Sequence, residues 1–401
     1  MNRAVVEWLQ SDEAQQLCAL IDPTQHLHSM SVLRRMTTPE RAAAIYELAW
    51  VRAHATRKFS AGAELFFTKT ALEQASHQRV GMHRALQFAG ATRVADICCG
   101  CGGDLLSLAT VAPCIALDQD DGRIAMAHAN MVVRGLADRV SYVCADAQTW
   151  DVPADVDAIF FDPGRRVASG RIYDHDAYLP PLSTASAWRR PGRRIAIKCA
   201  PGIDYSQLPF AHPYAIECVS LDGDLRETVI WLDGDSAWQH RATVLDAHGT
   251  HILDDTHTPG TIPCTQPNAF FIEPDVAVIR AGLVQHLAAR LGATMLDPQI
   301  AYLTHDRPVM SPFARCWEVL AVLPFSERQL KATLKAHGGG AITVKKRGSP
   351  IDTDALAKRL SQPHGTPLVV VLTRVAGAHT AIVCHGPLHP KEPRNGNEAA
   401  E

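Results

Sequence analysis

Four aspartates recur in the first half of the chain, each closing a short apolar run: Asp96 in VADICCGCGGD, Asp118 in ALDQD, Asp146 in VCADA and Asp162 in IFFDPGRR. A carboxylate at such a position can accept hydrogen bonds from hydroxyl or amino groups of a ligand. After Asp96 come Gly100, Gly102 and Gly103. Glycines let a backbone turn sharply and approach a ligand without a Cβ in the way. A helix beginning near Asp104 would then aim its first amides at that ligand. Asp118 lies 22 residues beyond Asp96, where an acid can receive ribose hydroxyls. Asp146 is placed to receive an adenine amino group. Any one of these aspartates could be a helix cap or a turn residue. Four in register at successive strand ends point instead to a site for cofactor and substrate, and a nicotinamide-binding domain has no standard need for all four.

The elements that would hold them are short β-branched runs alternating with helical stretches. The expected strands are 94–97, 114–118, 140–144, 158–161, 194–198, 215–220 and 228–232, with helices over 104–110, 122–133 and 181–188. That alternation predicts a mostly parallel sheet with helices on both faces. The turn Asp222-Gly223-Asp224 predicts a terminal antiparallel hairpin. Residues 1–88 read as a helical region, with a helix start at Thr38-Pro39-Glu40. Residues 89–235 form the α/β domain. A mixed connecting segment covers 236–324, with a helix over 275–291 and a strand over 317–323. A small α/β unit covers 325–387, and a polar, disordered tail covers 388–401.

Of 401 residues, 47% are hydrophobic, enough for packed cores. No apolar run reaches the roughly 18 residues of a membrane span. The opening MNRAVVEWLQSDEAQQL lacks a secretory apolar core. Eleven cysteines, an odd number, fit a reducing cytoplasm better than a disulfide framework. Cys98 and Cys101 have the spacing of half a zinc site, but no second ligand pair follows, so no metal is expected. The formal net charge is −3, so nucleic-acid binding would have to come from local basic patches.

Taken in order, VADICCGCGGD, ALDQD, CADAQ and FFDPGRR resemble the motifs of class I S-adenosylmethionine-dependent methyltransferases. The resemblance extends to FFTKTALEQASHQRVGMHRA from Phe66, EPDVAVIRAGL from Glu273 and VKKRGSPID from Val344. These look like bacterial methyltransferases that carry a C-terminal THUMP-like domain, over roughly residues 50–385. The core is also similar to the cap-guanine N2 methyltransferases. What this implies is a Rossmann-like seven-stranded domain, an N-terminal helical region and a small C-terminal α/β THUMP-like domain. It implies S-adenosyl-L-methionine as cofactor. Asp96, Cys98, Gly100 and Gly102 would line its methionine part, Asp118 and Gln119 its ribose, and Asp146 with Ala147 its adenine, with Thr68 as a lid contact. The implied partner is RNA, of the tRNA or rRNA kind.

Methyl transfer is an in-line displacement, in which the protein aligns a nucleophile and handles one proton. Amino-group methyltransferases end the fourth strand in an acid or amide, two prolines and an aromatic. Here Asp162 and Pro163 fit as catalytic residues, Gly164 replaces the second proline, and Arg165 stands where the aromatic would be. Arg165 and Arg166 can stack on a base or bind phosphate. The run 165–198 holds eight lysines and arginines, including Arg189, Arg190, Arg193 and Arg194, and suggests a basic rim at the active-site end of the sheet. Lys345, Lys346 and Arg347 could grip RNA phosphates, or guard an edge strand. Three functions remain open: a methyltransferase acting on an RNA base nitrogen, an RNA-binding protein that keeps the fold without the activity, and a methyltransferase of small molecules or proteins.

Overall fold

The computed structural model describes residues 1–165, 178–232 and 236–388, with Arg165 described by its backbone alone. Two compact units emerge: Met1–Val219 with Arg226–Ala237, and Ser220–Leu225 with the chain from Trp238 onward.

The first unit opens with six helices, α1 (Arg3–Leu9), α2 (Asp12–Ala19), α3 (His26–Met36), α4 (Pro39–Ala55), α5 (Lys69–Gln74) and α6 (Gln78–Leu86). The start of α4 falls where the sequence places it. Thr38 caps it by accepting the Arg41 amide, and Pro39 occupies a first-turn position where a missing N–H costs nothing. Then come β1 (Val94–Ile97), α7 (Leu105–Val111), β2 (Cys114–Asp118), α8 (Asp121–Val133), β3 (Val140–Cys144), β4 (Ala158–Phe161), the two-residue ladder β5 (Gly164–Arg165) with β6 (Tyr178–Leu179), β7 (Arg194–Cys199), β8 (Ala215–Leu221) and β9 (Asp224–Trp231). The main sheet of this unit runs β8-β9-β7-β4-β1-β2-β3. It is parallel from β3 across to β7, and antiparallel where β9 joins β7. This is the seven-stranded Rossmann-like order. Strand order reverses beside β1, so the crevice at the carboxyl ends of β1 and β4 is where a ligand belongs.

The central strands are buried on both faces. Ala95, Ile97, Ile159, Phe161, Ile195 and Ile197 are fully buried in one cluster, as expected of a parallel sheet covered by helices on each side. Phe161 meets Trp188 edge to face, with centroids 5.0 Å apart. The expected helix over 181–188 is a tighter 3-10 turn, Leu182–Trp188, entered from Pro181.

The second unit holds a hairpin, β10 (His240–Asp246) with β11 (Gly249–Asp254). Its sheet runs β13-β14-β12-β15-β18-β17-β16. The strands are β12 (Phe270–Pro274), β13 (Thr294–Asp297), β14 (Ile300–His305), β15 (Ala314–Pro324), β16 (Gly339–Lys346), β17 (Thr366–Val375) and β18 (Ala378–Pro387). Along β17 the side chains alternate. Leu368, Val370 and Leu372 pack on the leucines of α11 (Glu327–Ala336) and α12 (Thr353–Leu360), whereas Val369 and Val371 face Trp317, Tyr302 and Phe271. The single helix expected over 275–291 is two, α9 (Val276–Arg280) and α10 (Val284–Leu291). Gly282 between them takes a positive φ of 75°, which breaks the helical run.

Candidate active site

The carboxyl ends of the parallel strands surround a cavity of about 500 Å³. Thr68, Cys98, Gly100, Asp118, Gln119, Asp146, Ala147, Asp162 and Pro163 all line it, although they come from five separate stretches of sequence. Asp96, which has no exposed surface, and Gly102 are not among the residues that line it.

The loop after β1 alternates in backbone hand. Cys98, Gly100 and Gly102 have φ of 62°, 55° and 80°. A Cβ on Gly100 would meet no protein atom within 4 Å, so this glycine faces open space in the cavity. A Cβ on Gly102 would come within 3.1 Å of the Ala127 Cβ on α8, so that glycine lets helix and loop pack closely. Cys98 carries a side chain in a conformation that costs an ordinary residue roughly 1–2 kcal/mol. Cys98→Gly is therefore expected to stabilise the fold by about 1 kcal/mol, seen as a higher urea midpoint; an unchanged or lower midpoint would argue against strain at this loop.

Asp118 is almost fully buried, yet borders the cavity. Its Oδ2 accepts the Gly100 amide at 3.0 Å and its Oδ1 the Asp120 amide at 3.0 Å. Each carboxylate oxygen has room for a further donor, which suits a pair of ribose hydroxyls. Asp146, at the end of β3, is exposed and holds the Gln148 amide at 2.9 Å. Thr68 caps α5 by accepting the Ala71 amide. That short helix is fixed over the cavity from two sides. The Lys58 ammonium donates to the carbonyls of Leu72, Glu73 and Ala75 at 2.7–2.9 Å. Buried Asn130 of α8 ties both backbone groups of Phe66 and the Cys101 carbonyl together.

The site also contains charges that sequence reasoning missed. Arg84 of α6 is buried and pairs with Asp104 and Glu227, with its guanidinium 4.3 Å above the Phe160 ring. Lys198 of β7 lies 2.7 Å from Asp162 and 3.5 Å from Asp104. Burial alone would raise Asp104, but Arg84 and Lys198 hold its carboxyl below the ordinary range. Asp162 moves the other way: desolvation and the nearby Asp104 outweigh Lys198 and push it up. The Asp96 carboxyl oxygens have no hydrogen-bond partner among the described residues. Burial, then Asp104 and Asp162, push it far up. The sequence signal for these groups is a charge set against apolar strand residues: Lys198 in IAIKC and Glu227 in ETVIW.

Among the described residues of the expected basic rim, Lys198 reaches this end of the sheet, but Arg189, Arg190, Arg193 and Arg194 do not. Arg194 begins β7 opposite Ala158 at the start of β4, so it stands at the edge away from the cavity. Arg189, Arg190 and Arg193 there spend their guanidiniums on the carbonyls of Ala211, Pro213, Ala154, Val156, Trp188 and Pro153. These arginines hold turns together. The Arg165 side chain and the whole of Arg166 lie outside the described residues. In the second unit, Lys345 pairs with Glu273 at 2.6 Å, Arg347 approaches the same carboxylate at 4.0 Å, and Lys346 donates to the Ile351 carbonyl at 2.7 Å. Among the described residues there is no cluster of three or more side chains able to hold a metal, and no helix long and apolar enough to cross a membrane.

A parallel sheet with a positive-φ loop after β1, an acid closing β2 and another acid after β4 defines a domain that binds an adenosine-bearing cofactor beside a second substrate. Residues 91–175 match the model of the RNA cap guanine-N2 methyltransferase family, and residues 314–386 that of the THUMP domain-like family. Uncharacterized S-adenosylmethionine-dependent methyltransferases of two Mycobacterium tuberculosis strains are each 38% identical over 329 residues, spanning 79% of this chain and 88% of theirs. A crystal structure from Porphyromonas gingivalis W83, described as a methyltransferase, superposes with a TM-score of 0.73 at 21% identity, covering 95% of this chain and 97% of the other. The chain belongs to the S-adenosylmethionine-dependent methyltransferases, and S-adenosyl-L-methionine is its cofactor.

Proposed function

We propose that this enzyme methylates a base nitrogen in RNA, with Asp162 facing the acceptor. The observation that carries the reading is a carboxylate lining the cofactor cavity, one-third exposed and followed by Pro163 and Gly164. The cofactor, when bound, supplies an electrophilic methyl on a positively charged sulfur. Asp162 accepts an N–H of the incoming amine and aims its lone pair across the cavity. As the nitrogen takes the methyl and the carbon–sulfur bond breaks to leave a neutral thioether, the Asp162 carboxylate takes up the proton that nitrogen must lose. Leu179, 44% exposed beside Pro180 at the cavity wall, offers an apolar surface on which a base can lie. The matches to a cap-guanine methyltransferase model and to a THUMP-like model support RNA as the bearer of that base.

In this reading Asp118 receives the ribose hydroxyls, Asp146 with Ala147 the adenine, and Gln119, Thr68, Cys98, Gly100 and Gly102 shape the rest of the cofactor pocket. Hydrogen bonds to a charged group contribute about 1.5–3 kcal/mol. Asp118→Ala should therefore weaken cofactor binding by roughly 10- to 100-fold in calorimetry; unchanged affinity would remove Asp118 from the ribose site. The RNA assignment is tested by gel retardation with total RNA. Retardation at low salt that fades as salt rises is expected, and none at low salt would overturn it.

A further inference from the structure

We propose that Lys198 is the positioning residue of this reaction: its ammonium holds the Asp162 carboxylate in place and locks it to the start of α7. The inference rests on the reading that Asp162 faces the acceptor. Three observations carry it. The first is register. β4 and β7 are parallel neighbours with Phe161 opposite Ile197, so the next residues, Asp162 and Lys198, leave adjacent strand ends side by side. The second is commitment. Lys198 is the one charged side chain within Ile195–Cys199, is only 14% exposed, and places its Nζ at 2.7 Å from Asp162 and 3.5 Å from Asp104. The third is support from behind. Asp104, the residue that precedes α7, is gripped by Arg84, which is itself held by Glu227 of β9, and Ser76 reaches the second oxygen of Glu227.

One ammonium thus joins the loop and helix that carry the cofactor to the strand end that carries the proton acceptor. Lys198 does not act as a base. Asp104 and Asp162 outweigh its burial and keep it protonated far above neutral pH. Its effect is on Asp162. Burial and Asp104 push that carboxyl up and Lys198 draws it down, and a neutral carboxyl is a poor acceptor for an amine proton.

The test compares Lys198→Met and Lys198→Arg with the natural enzyme. One readout needs no substrate: the Asp162 carboxyl is titrated by carbon-13 NMR in protein labelled at aspartate, with the signal identified by its loss in Asp162→Asn. An opposite charge at this range moves a carboxyl by about 1–3 pH units, so its midpoint should rise by about one unit or more in Lys198→Met and return towards the natural value in Lys198→Arg. The second readout is kcat against pH. The acid limb should shift upward by the same amount, with a loss of about tenfold or more on that limb that shrinks as pH rises. A midpoint unchanged in Lys198→Met overturns the proposal. So does a loss of kcat equal at every pH, which a merely structural lysine would give. Lys198→Gln, which removes the charge but keeps a donor, serves the same test if the methionine variant does not fold. A titration that shifts as expected while no RNA is methylated by the natural enzyme would leave the lysine's role standing and remove the substrate reading instead.

Discussion

Arg84→Met is expected to destabilise the protein by about 3–5 kcal/mol, the cost of stripping one partner from a buried ion pair. Methionine fills much of the space, so the loss is electrostatic more than steric. It leaves Asp104 and Glu227 largely buried without their shared guanidinium, with Lys198 and Ser76 still beside Asp104. The sign of the pH dependence follows from Asp104. Its carboxyl is held below the ordinary range in the folded protein, so its contribution is present above the unfolded value and is lost as pH falls through the folded one. The gap between natural and variant protein should therefore be widest near neutrality and narrow in acid. Urea denaturation at several pH values measures this. A gap under about 1 kcal/mol at neutral pH would mean the network is incidental.

Asp162→Asn is expected to lower turnover by about 10²- to 10⁴-fold, the range for loss of a positioned proton acceptor, with cofactor affinity nearly unchanged. The asparagine keeps the size and one carbonyl acceptor but cannot take up the proton. In the natural enzyme the raised Asp162 carboxyl implies an acid limb above the ordinary carboxylate range, because the group must be ionised to work. Turnover within a few-fold of the natural enzyme would remove Asp162 from the mechanism. Loss of cofactor binding in the same variant would reassign it to the cofactor pocket.

The parts of the site that were legible in the sequence are those that local pattern dictates. Asp118 and Asp162 could be placed at the cavity because β-branched runs and helical stretches alternate and each acid closes or follows a run, whereas Asp96 lies inside β1 and is fully buried. Gly100 and Gly102 could be placed because only glycine takes a positive φ without strain, and the structure shows that demand at both. The helix start at Pro39 was legible for the same reason, since its cap is written in adjacent residues. The ion network was not legible. Arg84 meets Glu227 across 143 residues of chain and His83 meets Glu217 across 134, and no local rule brings such partners together. Lys198 reads as one more cation in a basic run until the register of β4 against β7 sets it beside Asp162. The arginines before β7 misled in the opposite sense. Their charge suggested a phosphate rim, but strand direction puts them at the far edge of the sheet. In the second unit, strands β12, β13 and β14 escaped notice because turns and polar residues interrupt their alternation, and one glycine at 282 divided what the periodicity joined.

The most direct test of the account is methyl transfer from S-adenosylmethionine, carrying a labelled methyl, to RNA taken from cells that lack this protein. The RNA is then digested and its nucleosides are resolved by mass spectrometry. The account predicts one labelled nucleoside, methylated on a base nitrogen, formed by the natural enzyme and nearly absent with Asp162→Asn. Label on a ribose oxygen, label confined to protein or small molecules, or an equal yield from the Asp162→Asn enzyme would contradict it.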